Sequence, residues 1–211
     1  MNSRTFPNEL TALTVMCICL FLAVALIPLA AKSYPPAVGI TGKSQNCLDC
    51  HVDNGPWKDD ASTIIDILDK DSGKSLKQSD GMFLIEVKRG FARTVLTIMG
   101  RTAQGESDPP LRNAWLFVDP ATIQSSSLSK FAPGWEVNLP MACRIVGDKQ
   151  PGYENARVTV LPMTVRPTDA ARDGEILLQA MFTKGESIKG NAKERLIGNY
   201  FERRVKLKII D

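Results

Sequence analysis

Histidine is all but missing from this chain, with His51 the single one in 211 residues. One imidazole excludes every site that needs two, among them bis-histidine iron ligation and the zinc sites completed by a histidine pair. Cysteine is sparse as well. Of the five, Cys17 and Cys19 fall inside an apolar run and read as filler. That leaves Cys47, Cys50 and Cys143, an odd and small number for a domain built on disulfides. Nor is charge of one sign gathered anywhere. Lys and Arg total 26 against 23 for Asp and Glu, a formal net charge of +3, and the two signs are interspersed. This excludes the basic stripe of a nucleic-acid binder. No nucleophile elbow, phosphate-cradling glycine loop or pair of catalytic carboxylates can be picked out.

What is present begins with the run from Leu10 to Ala31, which carries no charged side chain, is preceded by Arg4 and is followed by Lys32. About twenty apolar residues suffice to span a bilayer, and Leu29-Ala30-Ala31 would also serve as a cleavage site. Residues 1–31 are therefore a signal peptide or a membrane anchor, expected to be an apolar helix. Either way the rest lies outside the cytoplasm, periplasmic or otherwise extracytoplasmic, and held to the cytoplasmic membrane if the segment is kept. Residues 32–42, rich in Pro and Gly, read as a linker.

Beyond the linker stands "NCLDCHVDNGPW", Asn46 to Trp57. Two thiols one helical turn apart point to one side of the chain, and an imidazole follows directly after the second. A zinc site lacks its second ligand pair, since no other histidine exists and Cys143 stands alone. A thioredoxin-type couple would sit between a strand and a helix, a setting these flanks do not offer. A structural disulfide is the remaining plain reading.

Through this C-x-x-C-H run the chain resembles a c-type cytochrome. The resemblance covers the attachment site and little more. It implies one covalent haem c, bound through Cys47 and Cys50, with His51 as proximal iron ligand. Residues 43–79 would form the attachment segment. Asp60 as N-cap, Ile64, Ile65 and Leu68 as apolar positions and Gly73 as a stop make a short helix the expectation there, with a strand as the alternative.

From Gly81 the hydrophobic period changes to two. Seven strands are expected over residues 80–211, the first two forming a hairpin around Lys88 to Phe91. The fourth strand is the stretch "GWEVNLPMACRIVG" with Val137, Leu139, Met141, Cys143 and Ile145 on its buried face. The fold expected is mainly β, an immunoglobulin-like antiparallel β-sandwich preceded by a short haem-binding segment and the N-terminal apolar helix.

With no second histidine, methionine is the first candidate for the sixth iron position, and Met/His ligation would raise the reduction potential. Met141 and Met163 read as core filler. If Phe83, Ile85, Val87, Leu96 and Ile98 face the core, alternation puts Met82, Leu84, Val95, Thr97 and Met99 on the opposite face, making Met99 or Met82 the expected ligand, with an unliganded iron, a lysine amine or Met181 as alternatives. Trp57, close after His51, is the tryptophan expected to touch the cofactor. Arg203, Arg204, Lys206 and Lys208 could steer an acidic redox partner, although a solvated face is the plainer reading.

The function expected is electron transfer rather than enzymatic turnover. The partners would be redox proteins or further subunits of a membrane-associated redox complex, with no nucleic acid. The alternatives are a haem enzyme or gas-sensing subunit with an open distal position, and an assembly module of a larger complex.

Overall fold

The computed structural model describes residues 47–49, 51–118, 134–138, 143–184 and 197–211. The apolar run, the linker and Cys50 lie outside the described residues. Among the described residues, nine strands follow a 3-10 turn at Cys47–Asp49. They are β1 (Thr63–Asp69), β2 (Phe83–Lys88), β3 (Arg93–Thr102), β4 (Arg112–Val118), β5 (Trp135–Asn138), β6 (Cys143–Ile145), β7 (Ala156–Pro167), β8 (Gly174–Lys184) and β9 (Ile197–Ile210). They form a β-sandwich of a four-stranded sheet, β1-β3-β7-β5, and a five-stranded sheet, β2-β9-β8-β4-β6.

The core lies between the sheets. Ile65, Ile67, Val95, Met99 and Met163 from one sheet meet Phe83, Trp115, Phe117, Phe182 and Val205 from the other in a single cluster. Burying each such side chain contributes about 1.5–3 kcal/mol against leaving it in water. One buried polar residue ties the layers together. Asn113 on β4 donates from Nδ2 to the Met99 carbonyl at 2.8 Å and to Thr159 Oγ1 at 3.1 Å, both across the sandwich.

Several expectations are corrected. Residues 63–69 form a strand, not a helix, and β1 pairs antiparallel with β3 from Thr63 opposite Arg101 to Asp69 opposite Val95. Ile64, Ile65 and Ile67 are β-branched and stiff at χ1, which favours the pleated surface. The hairpin is absent, because β2 and β3 enter different sheets: β2 pairs with β9, and β3 with β1 and β7. The β2–β9 pairing is parallel, unlike the all-antiparallel arrangement expected. The expected fourth strand is two, with β5 beside β7 in one sheet and β6 beside β4 in the other. Its supposed buried stripe fails at Ile145, which is 69% exposed. Leu139, Met141 and the side chain of Cys143 lie outside the described residues.

Both sheets also bury apolar residues on their outer faces. On the four-stranded sheet Leu68, Ile98 and Val158 cluster with Tyr153, whose hydroxyl donates to Asp66 Oδ2 at 2.7 Å. On the five-stranded sheet Ala114 and Met181 form one outer cluster, and Leu116, Val118 and Leu177 another.

Candidate functional site

The Cys47–His51 stretch closes as one turn, with the His51 amide donating to the Cys47 carbonyl at 2.9 Å. An i to i−4 bond of this kind spans one helical turn between Cys47 and His51.

A strap from Asp53 to Trp57 then fixes the turn to the start of β9. The amides of Asn54 and Gly55 both donate to the Gly198 carbonyl, at 2.9 and 2.7 Å. Asp53 Oδ1 accepts from Asn199 Nδ2 at 3.0 Å and from the Tyr200 amide at 3.1 Å. The Trp57 amide donates to Asn199 Oδ1 at 2.8 Å. Gly55 is needed for this approach, because a Cβ there would lie 2.5 Å from Asn199 Oδ1 and 2.9 Å from the Gly198 oxygen.

Trp57 does not face the turn. Its ring is buried in the inter-sheet core, edge-on to Phe182 with centroids 6.5 Å apart, and its indole N–H donates to the Asp108 carbonyl at 3.0 Å. From within the core it anchors the strap.

Cys47 is buried on the outer face of the five-stranded sheet, in a cluster with Ala114, Met181 and the half-buried Tyr200. The strand register explains why these meet. Ala114 on β4 lies opposite Met181 on β8, which lies opposite Tyr200 on β9, and residues directly opposite share a face. Cys143 on β6 is the backbone partner of Ala114. Burial, followed by the Glu202 carboxylate that accepts from its hydroxyl, raises the Tyr200 pKa and keeps the phenol protonated.

The methionines sort differently from expectation. Met99 is fully buried between the sheets together with Val95, while Ile98 joins the outer cluster. Met82 is half-buried and precedes β2 in the other sheet, so Met82 and Met99 share no face and the ground for favouring them is gone. The alternation failed because β3 buries both of its faces. Met181 is the methionine brought against Cys47. The sequence signal for this docking site was Gly198-Asn199 at the head of the last strand, since a strand glycine marks close approach by another backbone.

The imidazole of His51 is half-buried, and its Nδ1 is buried without a hydrogen-bond partner. Burial pushes its pKa below the usual value, which keeps the ring neutral and its lone pair available at neutral pH. A neutral, under-bonded imidazole one turn from a buried thiol is a donor set that fits haem attachment. Among the described residues no group of three or more His, Cys, Asp or Glu side chains converges to hold a metal ion.

The basic residues of β9 are all paired. Arg203 binds Asp59, Arg204 binds Glu175, Lys206 binds Asp80 and Lys208 binds Glu86, at 2.5 to 3.1 Å. No protein-family model matches the chain, and no curated protein matches it.

Proposed function

We propose that this chain is an exported mono-haem c-type cytochrome that transfers electrons, its haem attached through Cys47 and Cys50 and ligated by His51. The reading is carried by the C-x-x-C-H run forming a turn strapped to the sandwich, with a neutral imidazole at its end. Haem in that position supplies one-electron exchange at iron. The chain's own part is to hold the turn through Gly198, Asn199 and Tyr200, to seal Cys47 against Ala114 and Met181, and to keep His51 unprotonated. Met181 is the thioether assigned to the sixth iron position, on its packing against Cys47. The partners are redox proteins, or other subunits of a membrane-associated redox complex.

The scaffold is read as immunoglobulin-like. The spatial orders β1-β3-β7-β5 and β9-β8-β4-β6 resemble A-B-E-D and G-F-C-C′ of that fold, with the difference that β5, in the D position, precedes β6, in the C′ position, along the chain, and Trp115 is the buried tryptophan on strand C. The cysteine pair that bridges the two sheets in antibody domains has no counterpart here.

A haem stain of the exported protein under denaturing conditions tests the function. Wild type should stain, and Cys47→Ser with Cys50→Ser should not. Colourless protein, or pigment released by acidified acetone, refutes the reading. Ready binding of carbon monoxide by the reduced protein would replace the carrier with an enzyme or sensor.

A further inference from the structure

At one end of the five-stranded sheet the surface turns apolar and cationic together. Pro110, Leu111 and Arg112 where β4 begins, Ile145 and Val146 where β6 ends, and Arg157 on β7 line an open groove of about 260 Å³. Backbone bonds fix its shape. The Leu111 amide donates to the Thr183 carbonyl at 2.9 Å, the Val146 amide donates to the Leu111 carbonyl at 3.0 Å, and Arg112 lies opposite Ile145. Leu111 and Ile145 are 53% and 69% exposed, and Ile197, also exposed, stands at the same end of the sheet opposite Lys184. The arginines stand out too. Six others each hold a carboxylate, whereas among the described residues the side chains of Arg112 and Arg157 have no partner. The carboxylates nearest along the chain, Glu106 and Asp108, are already held by Arg101 and Lys184.

We propose that this groove seats an anionic phospholipid of a membrane surface, with its phosphate between the Arg112 and Arg157 guanidiniums and its acyl carbons over Leu111, Ile145 and Val146. The inference rests on the membrane placement in the reading above, not on its haem. A guanidinium is weakly hydrated and its planar fork matches phosphate oxygens in pairs. The apolar floor calls for a ligand that is hydrocarbon directly beside its charge, which a phospholipid is and a free phosphate is not. A bilayer is also close at hand. The strap is bonded to Gly198, Asn199 and Tyr200, next to Ile197, so the amino-terminal side of the described chain meets the sandwich at the end that carries the groove. If residues 1–31 are kept in the bilayer, the fifteen residues from Lys32 to Asn46 reach no farther than about 50 Å even at full extension. That end of the sandwich then stays within reach of the headgroups. An acidic segment of a partner protein would also satisfy the arginines, but it has no such tether.

The test is Ile145→Trp in the full chain, mixed with vesicles of phosphatidylcholine alone or of phosphatidylcholine and phosphatidylglycerol at seven to three. Trp57, Trp115 and Trp135 are all buried, so acrylamide quenching reports on the added indole. Phosphatidylglycerol should shift its emission to the blue and shield it from the quencher, and salt should reverse both. Arg112→Gln and Arg157→Gln in that chain should each lower the ratio of shielded to quenchable indole about fivefold, and both positions are exposed, so the fold is kept. Flotation of the same samples reports attachment separately. A chain that floats with the vesicles while its indole is quenched alike in both compositions overturns the inference alone, as does shielding that the arginine substitutions leave unchanged. Shielding by an alternating Glu-Leu peptide but by neither vesicle assigns the groove to an acidic protein segment and overturns it too. A chain that floats with neither vesicle overturns the membrane placement as well.

Discussion

Gly55→Ala isolates the strap without touching any residue of the C-x-x-C-H run. The added methyl would sit 2.5 Å from Asn199 Oδ1 and 2.9 Å from the Gly198 carbonyl oxygen. The Gly198 carbonyl belongs to the backbone of β9, whose neighbours in the sheet hold it in place, so the strap must move. Its movement endangers three bonds: the Asn54 and Gly55 amides to Gly198, and the Trp57 amide to Asn199. Each is worth about 1 kcal/mol net, and overpacking of this kind costs about 1–3 kcal/mol. The two figures describe the same event from opposite sides and agree on a loss of about 2–3 kcal/mol. At roughly 2–4 °C per kcal/mol for a domain of this size, Tm should fall by about 4–12 °C. Circular dichroism measures the fall, and hydrogen exchange at Asn54, Gly55 and Trp57 locates it. An unchanged Tm with those amides still protected would refute the strap as the element that holds the turn.

Other substitutions test separate parts of the molecule. Met181→Ala should cost about 2–5 kcal/mol in urea unfolding, because the side chain is fully buried, and should alter the visible spectrum of the haem-loaded protein. Met99→Leu, a change within the core of nearly constant volume, should cost under about 1.5 kcal/mol and leave that spectrum as it was. Asn113→Leu should destabilise by about 1–3 kcal/mol, since it leaves the Met99 carbonyl and Thr159 hydroxyl without their cross-sheet donor. Asp69 is held well below the usual carboxylate range, first by the Arg93 guanidinium and then by the Ser72 amide and hydroxyl. A pKa lower in the folded state means that the unfolded chain binds the proton more tightly. The contribution of Asp69 is therefore full well above pH ~4 and shrinks as the pH falls below it. Asp69→Asn should lower the urea midpoint at pH 7, with the gap from wild type narrowing in acid; a gap independent of pH would count against the Arg93 pairing.

The strand content was legible because β2 and β9 keep one face wet, and alternation survives in them. Where both faces are buried it fails. β1 places Ile65 and Ile67 inside and Leu68 outside under the same shelter as Ile98, so its pattern resembles a helix turn as much as a strand. β3 misled for the same reason, and the error passed directly to Met99. Pairing partners were not legible at all. Nothing local in β2 announces that it joins β9 rather than β3, since that choice is made by contacts more than a hundred residues away in sequence. The site divided along the same line. The turn from Cys47 to His51 could be read from spacing, while Met181 reaches it only through strand register.

Gly198 and Asn54 are 144 residues apart, yet each binds the other's backbone or side chain. A chain emerging in order from its amino end therefore exposes Cys47 and the His51 imidazole long before the surface that will cover them has been made. Enzymes that act on that thiol would have an open window, closed by arrival of the carboxyl-terminal strand. Trimming the last fourteen residues, from Gly198 onward, should prolong that window and leave Cys47 of the haem-free chain reachable by alkylating reagents.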